Sequence, residues 1–178
     1  MIPRMEECLK LMKDHNMLEH IVSHSLLVNE VALYLSKELN NKGEKLDLSK
    51  VRAGALLHDI IKTRSIATGE DHAKAGRDLL LGLGFKSVSE IVRQHVTIDD
   101  DACSLRVSEI EVVNYADKRV MHDKVVSLKE RFDDIRKRYS TDEQRGSLID
   151  RSEQKAVELE KKIFSRLSIT PDSLWQIR

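Results

Sequence analysis

The chain has 178 residues, the length of one ordinary domain, and its thirty Lys+Arg balance thirty Asp+Glu; that neutrality excludes general nucleic-acid binding, whose footprint is a basic excess. Seven Gly, two Pro and 4% aromatics are too few turn and strand formers for a sheet protein of this size, so composition predicts helices. No apolar run approaches the roughly 20 residues that span a bilayer, the opening residues 1–7 are no secretion signal, and Cys8 and Cys103 match no zinc or redox spacing, which leaves an all-α, single-domain, cytoplasmic protein as the expectation.

An amphipathic helix is predicted over residues 4–15, with Met5, Cys8, Leu9 and Met12 on one side. A long helix follows over 18–39, where Leu18, Ile21, Ser25, Val28, Ala32, Leu35 and Leu39 step by threes and fours. Asn40-Asn41-Lys42-Gly43 ends it. A third helix, capped by Asp47, runs over 48–61 and is apolar nearly all round, which puts it in the middle of a bundle. A polar loop over 62–70 leads to a short helix over 71–83, stopped by Gly82-Leu83-Gly84. Capping boxes are read at Ser87-x-x-Glu90 and, after the acidic loop Asp99-Asp100-Asp101, at Ser108-x-x-Glu111. The second box opens a helix carrying Ile110, Val113 and Val120.

From Met121 to Tyr139 the chain is charge-rich, but acids and bases alternate with Phe132 and Ile135, the pattern of a solvated helix face. Thr141-x-x-Gln144 is placed to cap a last long helix reaching residue 167, with Ile149, Ser152, Ala156, Leu159 and Ile163 in heptad-like spacing. That helix is either packed on the domain or the seam of a homodimer. The expected organisation is an N-terminal helix over 1–17, a core over 18–121 and a charged C-terminal helical extension over 122–178.

The informative residues are polar ones where the helical pattern asks for apolar ones. At about 100° per residue, His24 falls near the apolar face of its helix, while His20 lies at the rim. His58 shares a face with Val51 and Ala55, His95 extends the run Val88, Ile91, Val92, and Asp117 sits in the seam of Ile110, Val113 and Val120. A buried carboxylate costs several kcal/mol unless paired, and Asp117 has no obvious basic partner at core spacing. Any one of these reads as a satisfied core polar group. Three inward His with Asp59 and Asp117, on different helices, read instead as a metal site built inside a bundle. Nitrogen and carboxylate donors without thiolate suit Mn, Fe, Co, Ni or Zn. Gly54, one turn before His58, and Gly76, one turn after His72, give room for a close neighbour.

The order His24, His58-Asp59, Asp117, with "LLHDIIK" ending a buried helix, resembles the HD superfamily of metal-dependent phosphohydrolases. It looks most like the bacterial subgroup whose motif reads His-Asp-Ile-Gly-Lys, and the segments "HSLLVNEVA", "DHAKAGRDLL", "IVRQH" and "YADK" agree with it over residues 18 to 121. The resemblance implies an HD-type helical bundle in which His24, His58, Asp59 and Asp117 are metal ligands and Asp59 bridges two metals. It also implies that His72 and His95 hold a second metal or the substrate phosphate. Ile61 stands where the subgroup has Gly, Val96 follows His95 where some two-metal members have another His, and no Gly-Tyr-Pro motif is present.

Around this set, Lys62 is a candidate catalytic and phosphate-contacting residue as a point charge. Arg64, Lys118 and Arg119 are further substrate candidates. His122-Asp123 is a second His-Asp dipeptide with no buried helix around it, and reads as a surface helix turn. The function expected is hydrolysis of a phosphate ester or anhydride in a small molecule, a nucleotide above all, by metal-activated water. The rival is a metal-stabilised regulatory or partner-binding module without turnover; the intact ligand set favours the enzyme, and the C-terminal extension keeps the rival open.

Overall fold

The computed structural model describes residues 1–99 and 105–177; Cys103, with Asp100 and Asp101 of the acidic loop, lies outside them. In chain order the elements are α1 (Met5–Asp14), α2 (Glu19–Asn41), α3 (Leu48–Leu57), α4 (Lys62–Thr68), α5 (His72–Gly82), α6 (Lys86–Gln94) and α7 (Glu109–Lys118). A hairpin of β1 (Val120–Met121) and β2 (Lys124–Val125) follows, then α8 (Leu128–Tyr139), α9 (Glu143–Phe164) and a 3₁₀ turn over Pro171–Gln176. The strands pair antiparallel, Val120 opposite Val125 and Met121 opposite Lys124. The fold is all-α apart from that hairpin. Among the described residues no helix is long and apolar enough to cross a membrane.

Two apolar groups form the core. One gathers α2, α3, α7, α8 and α9 around Leu35, Leu39, Val113, Tyr115 and Ile163. The other joins α1, α3, α5 and α6 through Cys8, Met12, Leu57, Leu80 and Val92. Helices α2, α3 and α6 contribute to both clusters: Val28, Val51, Ala55 and Ile91 to the first, and Ile21, Leu56, Leu57, Val88 and Val92 to the second. Each fully buried Leu or Ile contributes about 1.5–3 kcal/mol against its exposed state. Gly54 sets how closely α3 meets α6, since a Cβ there would lie 2.5 Å from Ile91 Cγ2. Gly76 does the same for α5, with Val92 Cγ1 2.9 Å from where its Cβ would stand.

Caps explain several boundaries. Asp47 accepts hydrogen bonds from the amides of Ser49 and Lys50, and Ser108 and Glu111 close the expected capping box. Elsewhere the structure departs from the sequence reading. The box at Ser87 does not form: α6 starts at Lys86 after Phe85, and Glu90 pairs with Arg93 and Arg77 instead. Asp142, not Thr141, caps α9, accepting from the amide of Arg145 at 2.8 Å. The segment expected as a loop after Lys62 is helix α4, which has no buried residue to give it a periodic signal and ends at Gly69 in the left-handed region. The third helix stops at Leu57 rather than residue 61, because bonds from Ile60 to Leu57 and from Lys62 to Asp59 turn the chain at the His-Asp pair.

The C-terminal segment belongs to the same core. Phe132 of α8, Ala156, Leu159 and Ile163 of α9 and Leu174 of the 3₁₀ turn are buried against α2 and α7. The heptad-like stripe of α9 is therefore filled from within the chain.

Candidate metal centre

Five points of the chain converge. His24 comes from α2; His58 and Asp59 follow the end of α3; His72 opens α5; His95 follows α6; Asp117 lies in the last turn of α7. His24, His58, Asp59, His95 and Asp117 are all buried, His58 completely. The imidazoles form a chain, His24 to His58 to His95 to His72, with ring centroids 5.3, 5.0 and 5.0 Å apart.

Hydrogen bonds fix which nitrogens face inward. His58 Nδ1 lies 2.7 Å from the carbonyl of Ala55 and His95 Nδ1 lies 2.6 Å from that of Val92. A carbonyl only accepts, so each Nδ1 carries the proton and each Nε2 turns a lone pair to the cluster. His72 Nε2 has three neighbours at nearly one distance, the Lys62 ammonium at 3.2 Å, His95 Nε2 at 3.1 Å and Asp59 Oδ1 at 3.2 Å. In the tautomer that carries its proton on Nδ1, this Nε2 accepts from the ammonium and has the lone pair a metal needs.

The donor atoms fall into two groups that share Asp59. In one, His58 Nε2 lies 3.6 Å from both Asp59 Oδ2 and Asp117 Oδ1, and Asp117 Oδ1 lies 3.0 Å from His24 Nε2. In the other, Asp59 Oδ1, His72 Nε2 and His95 Nε2 form a triangle with edges of 3.2, 3.1 and 3.4 Å. Ligands about 2.0–2.2 Å from one ion stand roughly 3–3.5 Å from each other, so both groups have the spacing of a coordination shell. His58 Nε2 and Asp59 Oδ1 are buried without a hydrogen-bond partner. Such orphaned acceptors are costly in a protein interior, and a divalent cation satisfies both. The residues fit a metal.

The electrostatics suit the same role. Burial lowers the His58 imidazole to about 4, against the pull of Asp59 and Asp117, so it is a neutral ligand at pH 7. Burial also lowers His72, with His95 and Lys62 adding to the effect and Asp59 opposing it. Burial by itself would raise Asp59, yet the imidazoles of His58, His72 and His95 and the Lys62 ammonium hold its carboxyl well below the usual range. Asp117 is likewise held down against burial by Lys118, His24 and His58. The His58 imidazole and the Asp59 and Asp117 carboxylates are thus in the protonation states a metal requires.

The remaining predicted residues divide. Lys62 stands at the second group, its Nζ also 3.8 Å from Asp59 Oδ1. Lys118 is the basic partner that Asp117 lacked on paper: its buried Nζ donates to Asp117 Oδ2 at 2.7 Å and to the His95 carbonyl at 2.8 Å. The structure does not bring Arg64 to the cluster; it pairs with Glu70 at the surface. Arg119 turns away too, buried between Tyr115 Oη at 2.6 Å, Glu160 at 3.1 Å and the carbonyls of Val126 and Pro171. It ties α7 to the C-terminal segment. Ile61 packs in the apolar core beside α5, and Val96 is exposed. His122-Asp123 forms the two-residue tip of the β-hairpin, not a helix turn, and lines an open cleft with Glu19, His20 and Ser23.

Sequence reasoning missed Asn114. Its amide donates to the carbonyls of Gln94 at 2.9 Å and His95 at 2.8 Å, and with Lys118 it caps the end of α6 that carries His95. The signal was present: Asn114 precedes Asp117 by three, a second polar residue on one apolar seam.

Comparison with known proteins shows the family. The family model of the HD domain matches residues 21–129, more than half of the chain. The chain is a member of the HD domain family. An uncharacterized protein of Methanocaldococcus jannaschii is 38% identical over 79 residues, 44% of this HD protein and 46% of that one. A tRNA (cytidine(56)-2'-O)-methyltransferase of Thermoplasma volcanium is 30% identical over 150 residues, 77% of this chain and 42% of the enzyme, and that of Picrophilus torridus 29% over 74% and 40%. The HD protein thus spans less than half the length of these curated relatives. A crystal structure of a predicted HD superfamily hydrolase from an uncultured Thermotogales bacterium shares the fold, with a TM-score of 0.53 and 23% identity over 92% of this chain and 93% of that one.

Proposed function

We propose that this HD protein is a metal-dependent phosphohydrolase that cleaves a phosphate ester or anhydride of a small molecule, with nucleotides the first class to test. The observation that carries the reading is the pair of donor groups sharing Asp59, with His58 Nε2 and Asp59 Oδ1 left orphaned inside the protein. His24, His58, Asp59 and Asp117 would hold the first ion, and Asp59, His72 and His95 a second. A bound divalent ion supplies Lewis acidity toward a phosphoryl oxygen and makes water a stronger acid. The chain does the rest. His58 and His95, locked by their carbonyl partners, keep the donors from rotating away. Asp59, held ionised, accepts a hydrogen bond from the attacking water and orients it toward phosphorus. Lys62, one-third exposed at the edge of the cluster, meets the substrate phosphate as a point charge and offsets the negative charge that builds on it.

The test is a panel of phosphorylated metabolites, nucleotides included, assayed for phosphate release with Mn, Co and Ni. Metal-dependent turnover of at least one is the expected result. No turnover from metal-loaded, folded protein would favour the second reading, a regulatory or partner-binding HD module. One observation gives that reading weight: the two tRNA methyltransferases match this chain over well under half of their length, so an HD-like segment stands there beside other sequence.

A further inference from the structure

Two lysines touch the cluster and they are held differently. Lys118 is buried and locked by two short bonds, to Asp117 and to the His95 carbonyl. Lys62 makes one contact of 3.2 Å, to His72 Nε2, its ammonium stands 3.8 Å from Asp59 Oδ1, and a third of its side chain reaches solvent. The corner it touches is a triangle of three atoms able to ligate a metal, Asp59 Oδ1, His72 Nε2 and His95 Nε2. In the tautomer that takes a metal, three lone pairs meet within 3.4 Å of one another and repel unless a positive charge stands among or beside them. The Lys62 ammonium stands beside them.

We propose that Lys62 is an intramolecular competitor for the second cation, so that its ammonium sets how tightly the Asp59–His72–His95 corner takes a second divalent ion. The inference rests on the metal centre of the proposed function. A divalent ion in the corner and an ammonium under 4 Å away repel, and the lone pair of His72 Nε2 serves one or the other, not both. Loading the second ion therefore requires Lys62 to swing out, which its flexible stem and partial exposure allow. Lys118 cannot take this part, because both of its bonds lie on the far side of Asp117 and on the α6 backbone. The same movement would carry Lys62 toward an incoming phosphate, so that one residue governs how many ions are held and meets the substrate once it is displaced.

The experiment is calorimetric titration of metal-stripped, full-length protein with Mn(II), comparing wild type, Lys62→Met and Lys62→Arg, with circular dichroism to confirm each is folded. Lys62→Met keeps the stem and removes the charge. It should bind the second ion tighter than wild type by about tenfold or more, or bind two ions where wild type binds one. The first ion should bind alike in all three proteins, and Lys62→Arg, which keeps the charge, should not gain. A second-ion affinity in Lys62→Met equal to or weaker than that of wild type overturns the inference, as does a Lys62→Met protein that still stops at one ion. Either result leaves the metal centre standing if the first ion binds. A protein that binds no ion in any variant overturns the metal centre and this inference together.

Discussion

His58-Asp59 and His122-Asp123 are the same dipeptide in two settings. The first follows a helix packed on every side; both side chains are buried, and each presents an orphaned donor atom to its neighbours. The second sits at the tip of a two-stranded hairpin, exposed, with His122 at φ 57° beside an open cleft to the start of α2. The residue types are identical; what differs is that His24, His72, His95 and Asp117 converge on one pair and only surface groups on the other. A ligand set is a property of the packing that gathers it, and the dipeptide alone carries little information.

The sharpest way to break this comparison is to remove one member of each pair. Asp59→Ala takes a donor from both groups, and metal-dependent turnover should fall by more than about 100-fold, since even outer-shell partners of a metal ligand cost 10–100-fold. Circular dichroism should stay helical. His122→Ala should leave turnover unchanged in the same assay. A reversal of the two outcomes would put the site at the hairpin.

A similar contrast holds for the two arginines that the sequence offered as substrate contacts. Arg119 is buried and feeds Tyr115, Glu160 and two carbonyls; Arg119→Ala takes the donor from the carbonyls of Val126 and Pro171 and leaves Glu160 with Tyr115 Oη alone. Leaving a buried polar group unpaired costs about 1–3 kcal/mol, which should appear as a clear drop in the urea midpoint. Arg64→Ala breaks a surface pair with Glu70 and should leave that midpoint where it is. Equal midpoints for the two variants would show that the Arg119 network does not hold the C-terminal segment.

The same buried-versus-exposed distinction decides how much was legible in the sequence. His24, His58, His95 and Asp117 were visible because helical periodicity marks a polar residue on an apolar face, whatever its role. Order along the chain then joined them to a family pattern. What periodicity cannot show is direction within the interior. Lys118 and Arg119 are adjacent, charged and equally buried; one faces the cluster and the other the C-terminal segment, and only the tertiary contacts distinguish them. Helix α4 was hidden for the opposite reason, having no buried side at all. The hairpin was missed because its strands are two residues each, too short for an alternation to register.

Burial of His58 gives a pH signature. Its imidazole titrates near 6.5 when unfolded and at about 4 in the native protein. A group whose folded value is depressed contributes stability above its unfolded value and loses it as pH falls toward the folded one. Metal-free protein should therefore lose up to about 3 kcal/mol between pH 6.5 and 4 from this group. Asp59 and Asp117, whose carboxyls are held below the usual range, add their loss only further down. Thermal melts across that window should show the slope, and His58→Gln should flatten it. An unchanged slope in the variant would assign the loss elsewhere.

Gly54 tests how closely the packing that gathers the buried pair is fitted. A Cβ at this position would meet Ile91 Cγ2 at 2.5 Å, so Gly54→Ala must push α3 from α6 or displace Ile91. Overpacking of this kind costs about 1–3 kcal/mol. Gly82→Ala, where the added Cβ meets nothing within 4 Å, is the control and should hold or slightly raise the melting temperature. The two variants should differ in metal affinity as well, because His58 follows Gly54 by one turn and His95 follows Ile91 by one turn. Equal affinities would show that the centre tolerates a shift of its supporting helices.

The smallest effect belongs to the hairpin tip. His122 holds a left-handed φ of 57°, a region that costs an ordinary L-residue roughly 1–2 kcal/mol and glycine very little. The tip lies between the paired residues Met121 and Lys124, and two-residue hairpin turns favour left-handed backbone because it matches the twist of the strands. His122→Gly should therefore stabilise the protein, but only modestly: glycine adds freedom to the unfolded chain and recovers part of the gain, leaving less than about 1 kcal/mol. Turnover should not change. If the variant were instead less stable, or slower, the exposed imidazole would be making a contact that matters, and the line between the two His-Asp pairs would have to be redrawn.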